Sequence, residues 1–305
     1  MNILIYFDGL RLGDSMIFMP ALKALRKKLC NSHITIVCGI CPAYEPLLHQ
    51  VADKIHAPKS PYQSAPTIWQ PNNIRDLYKN PYHLVIDTRS RLLTNLALRL
   101  IPCKRFVSKS LFRSHKKHAR IGETLLDLFS KAVGEKLDPV FDWSFDEKTR
   151  FILEKHLGNI PDKPLIIIAP GSSTISRCVP IENLVATANR IKQAHFIFLL
   201  GPCEIQLNRY IRDTLTNGTT LENNDPYLTM ALAENATITM ANDSGGGHLL
   251  AATSRLHISL FNRSDYQKWL PWSKNQHPLV AKDLQLNHIR EMSIDFLHSY
   301  INKLL

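Results

Sequence analysis

ATITMANDSGGGHLLAATSRLHISL, residues 236–260, is the stretch whose reading decides the fold. Thr237 to Met240 is a short β-branched strand. Asn242, Asp243, Ser244 and the glycines 245–247 form a turn, an apolar helix runs from His248 to about Thr253, and His257 to Phe261 is a second strand. A strand, a glycine loop and a helix N-terminus in that order make an anion site. Glycine lets the backbone come close to a ligand, and the first N–H groups of the helix lack internal partners. The same residues also fit a tight turn in which Asp243 or Ser244 is an ordinary N-cap. Taken alone, the stretch leaves both readings open.

The same alternation extends outward in both directions. Towards the N-terminus, Leu165–Ala169 and His195–Leu200 are apolar strands, followed by helical patterns near Glu182–Lys192 and Ile205–Leu215, and Tyr227–Glu234 is a further helix. Residues 262–290 look irregular, and Ser293–Leu305 is a terminal amphipathic helix that could cross the domain boundary and pack back on the first domain. An earlier series begins with the strand Asn2–Phe7, the loop Asp8–Asp14 and a helix from Ser15 to Leu29. It continues with the strand His33–Cys38, a helical Pro42–Val51, a short strand at Lys54–Ala57, the strand His83–Asp87, and helices at Leu92–Leu100 and Ile121–Val133. Between the two series, Asp138–Pro164 carries acids, prolines and a helix around Glu147–Leu157, as an interdomain connection would.

Alternating strands and helices imply parallel sheets with right-handed crossovers. The expectation is an α/β protein of two doubly wound, Rossmann-like domains, residues 1–160 and 161–305. Ligands in such domains lie at the carboxyl ends of the strands.

A chain of 305 residues can bury two ordinary cores. Its 45% hydrophobic and 21% charged content is that of a globular protein, and no apolar run is long enough to span a bilayer. The N-terminus enters a strand without a basic region or cleavage site, so a cytoplasmic location is expected. Six scattered cysteines then read as thiols. Cys38-x-x-Cys41 has metal spacing but lacks a second pair, and His115-x-x-His118 has no carboxylates nearby.

The net charge is +11, and Lys104–Arg120 alone carries seven Lys or Arg and no acid. This segment reads either as a solvated basic loop or as the seat of an anionic partner, and the second is the expectation. No nucleic-acid-binding motif accompanies it, so nucleic acid is not the expected partner. A dinucleotide-dependent oxidoreductase fails because Gly9-x-x-x-Gly13 has the wrong spacing, and a P-loop nucleotidase because its motif is absent.

Four motifs follow one another along the chain: Leu12-Gly13-Asp14 with Pro20 and Leu22–Arg26; Tyr82–Asp87 with Arg91 and Leu92; Ile168–Ser173 with Arg177 and Pro180; and Asn242–Gly245 with His248. Together they resemble glycosyltransferase family nine, the ADP-heptose:lipopolysaccharide heptosyltransferases. The resemblance implies the GT-B fold, two Rossmann-like domains facing across a cleft, with acceptor bound by the first and nucleotide-sugar by the second. It implies inverting transfer without a metal or other cofactor. Asp14 matches the family's base. Gly171, Ser172, Ser173 and Arg177 match its diphosphate loop, and Asp243, Ser244, Gly245, Gly246 and His248 its donor loop. The chain departs from the family pattern at Arg177 (usually lysine), Val179 (tryptophan), Asp8 (arginine) and Phe261-Asn262-Arg263-Ser264 (F-G-P-T).

Inverting transfer needs a base, in-line attack and neutralisation of the departing diphosphate. Asp14 is the expected base, against the plain alternative of a helix N-cap; Asp8 is the rival, and two carboxylates in one loop raise each other's pKa. Arg177 would meet the diphosphate bidentately. Glu204, beyond the strand end at Gly201, is a candidate for the ribose hydroxyls or a plain helix-start glutamate. His248 would bind phosphate or cap the helix. Asp8, Arg11, Arg89, Lys109, Arg113, Lys116 and Lys117 are the expected acceptor contacts. The partners implied are a nucleoside-diphosphate sugar, a phosphorylated lipid-linked acceptor and the inner face of the inner membrane. A non-catalytic protein binding an anionic glycolipid or nucleotide sugar is the alternative, and it predicts no turnover.

Overall fold

Fully apolar strands such as LIIIA at Leu165–Ala169 cannot leave either face in water, so they call for parallel sheets covered on both sides by helices. The computed structural model has that form. It describes residues 1–7, 12–38, 45–57, 76–89, 92–110, 120–158, 160–263 and 265–305. The strands are β1 (Asn2–Phe7), β2 (His33–Cys38), β3 (Lys54–His56), β4 (Tyr82–Asp87), β5 (Cys103–Ser108), β6 (Leu165–Ala169), β7 (His195–Leu200), β8 (Gly218–Glu222), β9 (Ile238–Asn242), β10 (His257–Phe261) and β11 (Gln276–Val280). They form a five-stranded sheet, β3-β2-β1-β4-β5, and a six-stranded sheet, β11-β10-β9-β6-β7-β8. Every pairing is parallel.

Three strands depart from the sequence expectation: β5, β8 and β11. All three lie at a sheet edge, where one side needs no partner and the apolar pattern is relaxed. β5 begins the basic segment, so residues 104–108 are strand and not loop, with Lys104 and Arg105 exposed. Outward cations at an edge discourage pairing with another chain. β11 carries Pro278, which has no N–H to donate and is tolerated where one side is unpaired.

The chain divides into two compact units, Met1–Phe141 and Asp142–Leu305. The helix Glu147–Leu157, capped by the Asp146 carboxylate accepting from Thr149 N at 2.8 Å, packs on the helix Pro226–Asn235 of the second unit. The terminal helix Ile294–Asn302 does not return to the first domain as expected: it sets Leu297 and Ile301 into the second unit's core, against the helix Ile181–Arg190, because its apolar face matches that core.

In each sheet the strand order reverses beside the first strand, between β1 and β4 and between β6 and β9. Crossovers leave in opposite directions there, so their loops part and open a crevice at the carboxyl ends. Among the described residues no helix is long and apolar enough to cross a membrane. Cys30, Cys103, Cys178 and Cys203 are unpaired thiols, while Cys41 and the His115/His118 pair lie outside the described residues.

Candidate functional site

Asn242, the last residue of β9, ties the second unit's two crevice loops together. Its buried amide donates to Pro170 O at 2.6 Å and accepts from Val179 N at 3.0 Å, so both ends of the 170–179 loop hang on one side chain. Ser172 adds a second tie, its hydroxyl donating to Asp243 O at 2.7 Å. That hydroxyl hydrogen is therefore engaged within the protein, leaving Ser172 lone pairs and backbone to face a ligand. Ser173 is exposed.

Asp243 follows Asn242, with only 11% of its side chain exposed. Its Oδ2 is buried and has no hydrogen-bond partner among the described residues. Two guanidiniums stand beside this oxygen, Arg177 Nη1 and Arg263 Nη1, each 3.9 Å away. That distance is short enough for Coulomb attraction and too long for a hydrogen bond. Burial pushes the Asp243 carboxyl pKa above the usual range, and Arg263 and then Arg177 oppose the shift. Arg263 is itself braced: it grips Asp265 with two nitrogens, at 2.5 and 2.9 Å, and lies 5.0 Å from the Trp269 ring centre. Arg177 ends a single 3-10 turn, Ile175–Arg177, whose Ile175 carbonyl accepts from Arg290 at 3.2 Å. Donors and acceptor are thus gathered at one strand end without being consumed by one another.

The glycines serve packing as much as ligand approach. The helix begins at Gly245, three residues earlier than the sequence suggests, because Ser244 caps it by accepting from Gly247 N at 3.1 Å. A Cβ on Gly247 would lie 3.0 Å from both Ala241 Cβ and Asn242 O, and one on Gly246 would lie 3.6 Å from Ala169 Cβ. Small residues here seat the helix N-terminus, with the positive end of its dipole, against β6 and β9. Gly171 answers to a different neighbour, since a Cβ there would overlap the Glu204 carboxylate. Glu204 is half-buried over Gly171 and Gly201, caps no helix with its side chain, and has its pKa raised by burial. His248 is buried in the helix, which depresses its pKa to about 4, so at neutral pH it is an uncharged ring. Any contact it makes with phosphate is as a neutral imidazole.

In the first unit, Asp14 sits in the first turn of the helix Leu12–Lys28, which starts before Ser15, so Asp14 is within the helix and is not its N-cap. Asp8, Arg11, Arg113, Lys116 and Lys117 lie outside the described residues. Arg89 and Lys109 meet at Asp87, the fully buried last residue of β4. Arg89 N donates to Asp87 Oδ1 at 2.9 Å, and Lys109 N to Asp87 O at 2.9 Å. Asp87 Oδ2 accepts from Asn95 at 2.9 Å and Ser108 at 3.0 Å. This buried network holds the two expected acceptor cations at the carboxyl ends of β4 and β5. The sequence places Asp87 at a strand end and in a family-like motif, but gives it no role in the site.

The sequence profile of glycosyltransferase family 9 (heptosyltransferase) matches residues 105–295, well over half of the chain. The chain belongs to glycosyltransferase family 9. It is therefore a glycosyltransferase, with the two parallel-sheet α/β domains of the GT-B fold. No curated protein matches by sequence. Solved structures do match over nearly the full length. The family 9 glycosyltransferase from Veillonella parvula DSM 2008 aligns with TM-score 0.77 at 16% identity, covering 99% of this chain and 96% of that one. E. coli heptosyltransferase WaaC with ADP aligns with TM-score 0.75 at 18% identity, covering all of both chains. E. coli ADP-heptose LPS heptosyltransferase II aligns with TM-score 0.74 at 14% identity, covering 100% and 98%. Arg263 was not among the site residues expected from the sequence; it stands in Phe261–Ser264, one of the segments that departs from the pattern the resemblance implies. That departure was the available signal, and its chemistry emerged only when the side chain was found beside Asp243.

Proposed function

We propose that this family 9 glycosyltransferase moves a heptose, or a related sugar, from a nucleoside-diphosphate donor, ADP-heptose foremost, to the inner core of lipopolysaccharide. The observation that carries the reading is the gathering of Arg177, Arg263 and the Ser244-capped helix start around Asp243, where the loops after β6 and β9 meet. The related E. coli structures hold ADP and ADP-2-deoxy-2-fluoro heptose, which supports the choice of nucleotide.

In this reading Asp14 accepts the proton of an acceptor hydroxyl as its oxygen bonds to the anomeric carbon from the face opposite the diphosphate. The bond from that carbon to the diphosphate oxygen breaks with inversion, and the electron pair leaves on the nucleoside diphosphate. Arg177, Arg263 and the N–H groups at the helix start meet the new charge, in the role a cation fills elsewhere. The unfilled Asp243 Oδ2 accepts from a donor-sugar hydroxyl, and Glu204 accepts from the ribose. Arg89, Lys109 and the cations of the 104–120 segment attract a phosphorylated, lipid-borne acceptor at the inner face of the membrane.

Thermal-shift titration with ADP, UDP and GDP in the presence of a chelator tests the donor half. Stabilisation is expected, largest for ADP, and an unmoved melting curve with all three would sink the reading. For the chemistry, Asp14→Asn should lower turnover at least about a hundredfold while ADP affinity holds. Near-normal turnover would move the base elsewhere.

A further inference from the structure

The helix Leu92–Arg99 turns the wrong residues to water. Thr94, Asn95, Ala97 and Leu98 face inward, Ala97 and Leu98 entering the core with Leu4 and Val85. The other side presents Leu92, Leu93, Leu96 and, one residue past the helix, Leu100, exposed by 75, 71, 51 and 72%. Residues spaced by three and four share one face, so these leucines form a single apolar stripe. Scattered exposed leucines are ordinary, but four on one face of a short helix are not.

Charge identifies what covers it. Residues 88–120 contain ten Lys or Arg and no Asp or Glu, in a chain whose net charge is +11. Within that run Arg99, on the helix between Leu96 and Leu100, and Lys104, which alternates onto the same sheet face as Phe106, are exposed, while Arg105 turns to the other face and donates to Lys131 O at 2.9 Å. Apolar side chains set in an acid-free, cationic stretch of chain fit a surface that is apolar within and anionic outside. A second copy of the chain would bring one acid-free cationic stretch against another, and that repulsion disfavours self-association there.

We propose that this face is a membrane-docking surface: Leu92, Leu93, Leu96 and Leu100 enter the acyl boundary of an anionic bilayer, and the flanking cations bind its headgroups. The inference extends the lipid-borne acceptor reading and is tested apart from it. The full chain is sedimented with phosphatidylcholine vesicles with and without phosphatidylglycerol, beside Leu92→Ser/Leu96→Ser/Leu100→Ser, Arg99→Ser/Lys104→Ser and the control Phe151→Ser, a residue 71% exposed among mixed charges on the second unit. The parent should bind the anionic vesicles and lose binding in high salt. The leucine variant should bind at least about tenfold more weakly, and the cation variant about fivefold more weakly per charge removed. The control should match the parent, and all variants should keep the parent's melting temperature and ADP affinity. Parent-like binding by the leucine variant, or no binding by the parent, overturns the proposal. So does light scattering that finds a dimer which the leucine substitutions dissociate. Vesicle binding with no response to any nucleotide would uphold this surface and defeat the donor reading instead.

Discussion

At the residue scale, the site turns on a carboxylate that two arginines attend without touching. If Arg177 and Arg263 both serve the diphosphate, replacing either with alanine should weaken ADP binding by about tenfold to a hundredfold, the range for losing a charged hydrogen bond. Isothermal titration would separate this from support of Asp243, which predicts lower stability with ADP affinity unchanged. Gly171 gives a second residue-scale prediction. Its missing side chain leaves room for Glu204, so Gly171→Ala should displace that carboxylate and weaken binding of ADP several-fold. In a Glu204→Ala background the same change should cost almost nothing further, and an additive loss would show that Glu204 is not the affected partner.

At the element scale, two parallel strands and the loops after them form the proposed donor crevice only if they stay tied. Asn242 is the tie, and Asn242→Ala would strand the buried Pro170 carbonyl and Val179 N–H. Each orphaned group costs about 1–3 kcal/mol. We expect a loss of roughly 3 kcal/mol in urea unfolding, with a larger loss of nucleotide affinity than stability alone explains. Full ADP affinity in the still-folded variant would contradict this view of the loop. The same scale explains where sequence reading stopped. Interior strands such as β6, β7 and β9 announce themselves because both faces are buried. The edge strands β5, β8 and β11 carry cations, threonines or a proline, and only pairing with their inner neighbours reveals them.

At the scale of the whole molecule, the second unit carries a liability to acid. His257 is fully buried, sharing a 2.7 Å hydrogen bond with Thr239, and burial followed by the nearby His248 lowers its pKa to about 3. His248 is lowered to about 4 by burial. Both are neutral in the fold and protonate near pH 6.5 when unfolded, so the unfolded chain takes up more protons as pH falls. Their stabilising contribution is complete above the unfolded value and declines below it, by up to about 1.4 kcal/mol per pH unit for each ring. Chemical denaturation followed by tryptophan fluorescence, with Trp143, Trp269 and Trp272 in this unit, should show stability falling from pH 6.5 to about 5. A flat profile, or one unchanged by His257→Phe, would refute the assignment.

The sequence by itself determined the two parallel α/β halves, the family and the loops of the proposed donor site, because buried runs and short glycine turns are local signals. Only the tertiary structure decided which side chains those loops bring together. Arg263 beside Asp243, Glu204 over Gly171, the Asp87 network and the bare leucine stripe each depend on residues distant in the chain or on which face of an element meets the core. Spacing along a chain does not encode a side chain's neighbours across a sheet end; packing does.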